Sequence, residues 1–264
     1  MSSASGRPFP LDYESRGYAY VERPNQTLIA LLGKHVFRRA PEAAILDVGC
    51  GAGANARAIA LRWPGARIVG IEPDARAAEL ARSACAEVHH GTLDDFLARE
   101  RGERFDAVVL SDVIEHVVEP VPFLSALVAA KATQGARWFV SVPNYAVWYN
   151  RLRTLAGSFS YSWSGLYDRT HVRFYTRRGI RELLEHCGLR VVAQGATPSL
   201  VQSAAPLLRR FFEADVARGE HLTLGESAAF RAYAGYVEPL ETSLCSLWPE
   251  LLAFQIVSVA EPRR

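Results

Sequence analysis

The chain has 264 residues, of which 49% are hydrophobic and 22% are charged. This composition is typical of a globular protein and excludes a disordered, collagen-like or coiled-coil chain. Basic side chains number 30 and acidic side chains 28, which leaves a formal net charge of +2. Bulk charge therefore predicts neither a nucleic-acid partner nor a membrane partner.

The four cysteines lie far apart in the sequence and form no CxxC pair: they are Cys50, Cys85, Cys187 and Cys245. That spacing indicates neither a zinc knuckle nor a disulfide framework, and it favours a reducing compartment. The first residues lack the pattern of a signal peptide, and no apolar run reaches about 18 residues. We therefore expect a cytoplasmic protein without a transmembrane segment.

Residues 1–40 are predicted to form an arm and a helix over a cofactor site, the helix lying in NQTLIALLGKHVF. Short apolar runs then alternate with helical patterns through residues 41–144. This alternation predicts right-handed crossovers and a parallel sheet with helices on both faces. Residues 41–144 are therefore predicted to be an α/β core that binds the cofactor.

The alternation stops after Asn144. Residues 145–175 are rich in aromatic side chains and long for a connection, so we predict an acceptor-binding loop. Residues 176–264 are predicted to complete the sheet and to carry a helical cap at about 198–249. An amphipathic helix in this cap, from Leu200 to Phe212, indicates a lid, a dimer contact or a surface for a lipid-linked acceptor.

An apolar strand runs into a glycine-rich turn that contains Gly49, Gly51 and Gly53. Glycine permits positive φ and lets a ligand approach the backbone, but the same spacing also fits a dinucleotide-binding loop. Asp47 at the strand end would attract an ammonium group and repel a pyrophosphate. Glu72 follows Gly49 by 23 residues and ends the next strand, where its carboxylate is placed to accept hydrogen bonds from ribose hydroxyls.

The segments AILDVGCGAG, GIEPD and FDAVVLSDVIEHVVEP together resemble motifs I, II and IV of class I S-adenosylmethionine-dependent methyltransferases. The resemblance implies a Rossmann-like, seven-stranded α/β methyltransferase fold with helical insertions. It implies S-adenosylmethionine as cofactor and S-adenosylhomocysteine as product. It also implies adenine contacts by Thr92 and Leu93 and a methionine-side contact by Ser111, so that the predicted cofactor residues are Asp47, Gly49, Gly51, Gly53, Glu72, Thr92, Leu93 and Ser111.

The segment GSFSYSWSGLYDRTHVRFYTRRGIRELLEHCGLRV is similar to one in bacterial methyltransferases associated with glycan and secondary-metabolite assembly, within the ubiquinone-methyltransferase-like group. This similarity implies methyl transfer to a small molecule, at a hydroxyl of a sugar or natural-product scaffold. N-methylation of an amine is an alternative. A NAD(P)-dependent oxidoreductase and a non-catalytic cofactor-binding module are alternatives of other classes, although the chain contains no Tyr-x-x-x-Lys pair at the expected position.

A hydroxyl acceptor must lose a proton, and histidine is the usual base near neutral pH. His116 follows the fourth strand and His171 lies in the acceptor loop, so both are predicted to be catalytic. Together with Asp112 and Glu115 they also resemble the metal site of ubiquinone-pathway and small-RNA methyltransferases. Asp112 is shorter than the glutamate usual there, so direct base catalysis is favoured over a divalent metal, while a packing role for His116 stays an alternative.

Aromatic side chains of the acceptor loop are predicted either to wall a closed site or to pack a small core. A closed site would exclude water from the methyl transfer, and aromatic faces tolerate the positive charge of the sulfonium. The residues concerned are Tyr145, Trp148, Tyr149, Phe159, Tyr161, Trp163 and Tyr167.

Overall fold

The computed structural model of the protein describes residues 24–99, 102–131, 135–162, 165–198, 236 and 238–263. Residues 1–23 of the predicted arm, Trp163 and the predicted amphipathic helix from Leu200 to Phe212 lie outside the described residues. The structural statements below refer to the described part of the chain.

Seven strands form one mixed sheet in the order β3-β2-β1-β4-β5-β7-β6. Strands β1 to β5 pair in parallel, whereas β7 runs antiparallel to both β5 and β6. The strands are β1 Ala44–Val48, β2 Arg67–Glu72, β3 Glu87–His90, β4 Ala107–Ser111, β5 Arg137–Pro143, β6 Leu189–Pro198 and β7 Ala253–Pro262. The predicted seven-stranded α/β fold is confirmed.

Helices cover the sheet on both faces. They are α1 Gln26–Leu32, α2 Ala54–Arg62, α3 Ala75–Ala81, α4 Leu93–Arg99, α5 Pro120–Lys131, α6 Trp148–Leu155, α7 Arg177–His186, α8 Glu238–Leu247 and α9 Pro249–Leu252, with a π-helical turn at Gly33–Phe37 and a 3₁₀ turn at Ile114–His116. Within the described residues, no helix has both the length and the hydrophobicity needed to cross a bilayer.

Neighbouring residues of the central strands supply two separate cores. Leu46 of β1 packs in one core with Leu124 of α5, while Ile45 packs in the other with Leu28 of α1. Successive side chains of a strand point to opposite faces, so a strand covered on both sides must be apolar at almost every position. This requirement explains the continuous apolar runs in the sequence, and it makes the buried Asp47 an exception.

The acceptor segment is more ordered than the loop that the sequence predicts. It contains helix α6 and a small core formed by Val147, Leu166 and Tyr167. The side-chain amide of Asn150, which is buried on α6, donates to the backbone oxygen of Tyr145. This contact joins the helix to the end of β5 and so fixes where the acceptor segment leaves the sheet.

Candidate active site

The glycine turn after β1 has the backbone conformation that its sequence predicts. The φ angles are +71° at Gly49, +54° at Gly51 and +86° at Gly53, all in the left-handed region that favours glycine. A side chain at Gly49 would begin only 2.6 Å from Cγ2 of Val113. Glycine is therefore required at residue 49 both by backbone conformation and by space.

Glu72 connects this turn to the next helix. Its Oε2 accepts a hydrogen bond of 2.9 Å from the N–H of Gly51, and its Oε1 accepts one of 2.9 Å from the N–H of Asp74. Burial raises the pKa of Glu72, although the two backbone hydrogen bonds oppose that shift. Each carboxylate oxygen has a second lone pair, so Glu72 can support the turn and still accept hydroxyl donors from a ligand.

Asp47 is a buried acid without a partner. It is only 1% exposed, and neither carboxylate oxygen has a hydrogen bond among the described residues. Burial, with a smaller contribution from the charge of Glu72, raises the pKa of Asp47 to about 7. A buried carboxylate in this state gains stability from any cationic group that reaches it, directly or through water.

On the side predicted to border adenine, Thr92 caps helix α4. Its hydroxyl donates to Oδ2 of Asp95 at 2.7 Å and accepts from the N–H of Asp95 at 3.2 Å. Leu93 is buried in the core next to Phe96. Both residues thus have structural roles, and their contact with adenine stays a prediction.

The end of β4 contains a strained acid that depends on a distant residue. Asp112 has a φ of +58°, and its Oδ1 accepts a hydrogen bond of 2.6 Å from Nε2 of Gln255 on β7. Its N–H donates to Oγ of Ser141, which lies 3.1 Å from Oγ of Ser111. Burial raises the pKa of Asp112 to about 6. Sequence reasoning missed Gln255 because 143 residues separate it from Asp112 and no local pattern marks it.

The structure brings the two predicted catalytic histidines into contact. The rings of His116 and His171 lie 4.8 Å apart at 74°. Two backbone hydrogen bonds hold this arrangement, because the carbonyl oxygen of Glu115 accepts from the N–H groups of Val172 at 2.9 Å and Arg173 at 3.0 Å. These bonds join the turn after β4 to the end of the acceptor segment, more than fifty residues away.

Each histidine has a defined tautomer. Nδ1 of His116 lies 3.2 Å from the backbone oxygen of Thr170, and Nδ1 of His171 lies 3.1 Å from that of Leu166. A carbonyl oxygen can only accept, so each Nδ1 carries the proton and each Nε2 keeps a lone pair. No described residue forms a hydrogen bond with either Nε2.

Burial favours the neutral form of both imidazoles. Burial, aided by the neighbouring imidazole, lowers the pKa of His116 to about 4. Burial also lowers the pKa of His171 below its usual value. The pair therefore presents two neutral lone pairs that can accept a proton or coordinate a cation.

Glu115 completes a group of three side chains that fits a divalent ion. It is 1% exposed with neither carboxylate oxygen hydrogen-bonded to a described residue, and burial, reinforced by Asp112, raises its pKa well above the usual range. Ligand atoms of Glu115, His116 and His171 all lie within 4.8 Å of one another. One carboxylate and two imidazoles suit several divalent metals. Asp112 is not in this group, and its Oδ1 is bound to Gln255.

The aromatic side chains of the acceptor segment divide into two groups. Tyr145, Trp148 and Tyr149 pack against the small core around Tyr167. Phe159 and Tyr161 are 50% and 51% exposed. The packing alternative thus describes the first group, whereas the second group is free to face a ligand.

Comparison with known proteins relates this geometry to a family. A family model described as a methyltransferase domain matches residues 19–194. Ubiquinone biosynthesis O-methyltransferase of Methylobacterium nodulans is 27% identical over 154 residues, which are 56% of this chain and 60% of that protein. The enzyme of the same name from Hahella chejuensis is 34% identical over 109 residues, which are 39% of this chain and 44% of that protein. The chain thus matches less than two thirds of the length of either relative.

Solved structures show the same fold. Magnesium protoporphyrin IX methyltransferase from Synechocystis PCC 6803, with bound S-adenosylhomocysteine, superposes with a TM-score of 0.52 at 16% identity. The superposition covers 90% of this chain and 83% of that one. At this identity the likeness concerns the fold alone, whereas the family model matches more than half of the chain. The chain therefore belongs to the class I S-adenosylmethionine-dependent methyltransferases.

Proposed function

We propose that this protein transfers the methyl group of S-adenosylmethionine to a hydroxyl of a small molecule, and that the histidine pair assists removal of the hydroxyl proton. The observation that carries this proposal is the contact between His116 and His171, with both Nδ1 atoms at backbone carbonyls and both Nε2 lone pairs available. A neutral imidazole with an available lone pair is the form that a general base requires.

The proposed cofactor site lies at the carboxyl ends of β1, β2 and β4. In open parallel sheets ligands bind at this edge, where the strand order reverses, and here β1 lies between β2 and β4. The glycine turn would let the cofactor approach the backbone, Glu72 would bind the ribose and Asp47 would neutralise the ammonium group. Family membership favours this assignment over a nicotinamide-dependent oxidoreductase.

The proposed reaction is an in-line displacement. The acceptor oxygen attacks the methyl carbon, the bond between carbon and sulfur breaks, and S-adenosylhomocysteine leaves while the hydroxyl proton moves to Nε2 of a histidine. We assign the base to His171, because a pKa of about 4 makes His116 a weak proton acceptor near neutral pH. His116 would orient the acceptor through its own lone pair.

The acceptor that we propose is a hydroxyl of a sugar or natural-product scaffold. A histidine base favours an oxygen acceptor over a nitrogen acceptor, because an amine needs only its neutral lone pair. The names of the relatives, which are O-methyltransferases of ubiquinone biosynthesis, also favour oxygen. N-methylation is therefore the less favoured alternative.

A divalent ion is compatible with the same side chains. Glu115, His116 and His171 would hold it, because their ligand atoms lie within 4.8 Å of one another and a bound cation would favour the ionised form of the buried Glu115. When bound, such an ion would act as a Lewis acid that lowers the pKa of the acceptor hydroxyl. Direct base catalysis stays the favoured proposal, and chelation tests it.

His171→Ala and His116→Ala test the proposed role of the pair. The protein is incubated with a cell extract and labelled S-adenosylmethionine, and mass spectrometry measures the methylated product. Product formation should fall by about 10²–10⁴-fold in His171→Ala and markedly in His116→Ala. The affinity for S-adenosylmethionine should stay unchanged in both. His186→Ala, which alters an exposed histidine at the end of α7, is the matched control. Full activity in both site variants would refute the proposed role of the pair, whereas no turnover by the unaltered protein would favour a non-catalytic module.

Chelation separates the two mechanisms. A neutral histidine base would be supported by turnover that is insensitive to chelator and that increases with pH. The midpoint of this increase should lie below pH 6.5, because burial lowers the pKa of His171. Turnover should fall at lower pH, because protonation of the imidazole removes the lone pair that accepts the hydroxyl proton. Turnover that is lost with chelator and restored by magnesium, manganese or zinc would replace direct base catalysis by the metal mechanism.

A further inference from the structure

We propose that the acceptor carries an acidic group, a carboxylate or a phosphate, and that Arg153 binds this group beside the ring of Tyr167. This inference rests on the proposed methyltransferase function and adds the chemical class of its substrate. Three observations support it: the charge of the acceptor segment, the partners of its arginines and the position of Arg153.

Charge is distributed unevenly between the two halves of the site. Residues 145–175 contain four arginines, Arg151, Arg153, Arg169 and Arg173, and a single acid, Asp168. Residues 44–112, which carry the proposed cofactor site, contain eight arginines and eleven acids. A basic acceptor segment next to an acidic cofactor region would attract an anionic acceptor to its own side of the site.

Three of these arginines form hydrogen bonds only with neutral oxygens. Arg151 donates to the backbone oxygen of Ala146, Arg153 to the hydroxyl of Ser160 at 3.2 Å, and Arg173 to the backbone oxygen of Val118. Neither Arg153 nor Arg173 has a carboxylate partner among the described residues, whereas the charge of Arg151 acts on Glu250.

The nearest acids are engaged elsewhere. Oδ1 of Asp168 accepts from both the N–H and the hydroxyl of Thr170, and Glu250 forms an ion pair of 2.5 Å with Arg177. A guanidinium has five N–H donors, and a carboxylate or phosphate can take two of them in parallel. Arg153 and Arg173 therefore retain donors and charge that bind an acidic group.

Arg153 is connected to the proposed base, His171, through Tyr167 and the preceding residue Leu166. Its guanidinium carbon is 4.5 Å from the centre of the Tyr167 ring. Leu166, the residue before Tyr167, provides the carbonyl oxygen at Nδ1 of His171. The half-exposed ring of Phe159 lies 5.1 Å from that of Tyr167. One short segment thus combines a cation, an exposed aromatic face and the proposed base, which together suit an acceptor with an acidic group and a hydroxyl on a compact scaffold.

Binding of matched small molecules tests this inference without requiring turnover. Titration calorimetry on the protein saturated with S-adenosylhomocysteine would compare salicylate and phenyl phosphate with the neutral salicyl alcohol. We expect the two anions to bind at least about 10-fold more tightly than the alcohol. Arg153→Met should reduce the affinity for the anions to that for the alcohol and leave the alcohol unaffected. Arg153→Lys, which keeps the charge but not the planar fork, should give an intermediate affinity.

Arg178→Met is the matched control, because Arg178 is an exposed arginine of α7 paired with Glu182. Equal affinity of salicylate and salicyl alcohol for the unaltered protein, absence of salicylate binding at millimolar concentration, or full salicylate affinity in both Arg153 variants would overturn the inference. Binding to phosphatidylglycerol vesicles without binding to the small anions would also overturn it, in favour of a lipid surface. Failure of the methyltransferase proposal would appear separately, in the cofactor affinity and in the histidine variants.

Discussion

The cofactor region, residues 44–112, and the acceptor region, residues 113–175, are built by different means. In the cofactor region the surface that we propose to face the ligand is mainly backbone: glycines in left-handed conformation, and a Glu72 carboxylate that already binds two N–H groups. In the acceptor region it consists of side chains, above all His116 and His171, which backbone hydrogen bonds from distant segments bring together.

This difference explains why the first region leaves a stronger signal in a single sequence than the second. A glycine turn after a buried strand constrains consecutive residues, so its requirement appears as a short motif. A pair of imidazoles requires only that two segments, each with one histidine, meet in space. Many sequences satisfy that condition, so the acceptor region leaves a weaker local signal.

The strongest test of the comparison is Gly51→Val. If backbone conformation forms the cofactor region, a β-branched side chain at a φ of +54° should distort the turn and fill the space of the ligand. We expect the affinity for S-adenosylmethionine, measured by calorimetry, to fall by at least about 100-fold. Gly188→Val is the control, because Gly188 has a φ of +85° at the end of α7 with nothing within 4 Å of an added Cβ. Near-normal affinity in Gly51→Val would contradict this view of the cofactor region.

Glu72→Ala sharpens the comparison, because Glu72 is a side chain that acts through the backbone. Its loss removes two hydrogen bonds to the turn and the proposed bonds to ribose. Cofactor binding should weaken by about 1–3 kcal/mol. Glu79→Ala, an exposed change on α3, is the control. Unchanged affinity in Glu72→Ala, measured in the same titration, would remove Glu72 from the proposed site.

Asp47→Asn concerns the stability of the protein without cofactor rather than cofactor binding. Below about pH 4 the acid is protonated in both the folded and the unfolded protein. Between that pH and about 7 the unfolded chain ionises first, because burial raises the pKa of Asp47 to about 7 in the folded protein. The unaltered protein should therefore lose stability as the pH rises through this window, and the asparagine variant should lose less.

Urea unfolding at pH 5 and pH 8 without cofactor measures this difference. The free energy of unfolding of Asp47→Asn, relative to the unaltered protein, should increase by about 1–3 kcal/mol between the two pH values. Asp94→Asn, an exposed change on α4, should show no such increase. A pH-independent difference at Asp47 would mean that its carboxylate has a cationic partner in the folded protein.

Much of the fold and half of the site could be predicted from the sequence. The alternation of apolar runs with helical patterns predicts the parallel part of the sheet, and the resemblance to methyltransferases implies the seven strands that the structure forms. Helix α6 was missed, because its polar and aromatic sequence resembles a loop until Asn150 anchors it to the end of β5.

The sequence by itself determined the features that depend on neighbouring residues: strand burial and the glycine turn. Only the tertiary structure decided which Nε2 atoms carry lone pairs, that Gln255 holds the strained Asp112, and that Arg153 lies over Tyr167. The physical reason is the sequence separation over which each kind of interaction acts. Backbone sterics and hydrophobic periodicity act within a few residues along the chain. The hydrogen bonds and ring contacts of the acceptor region join residues that become neighbours only when the strands are packed.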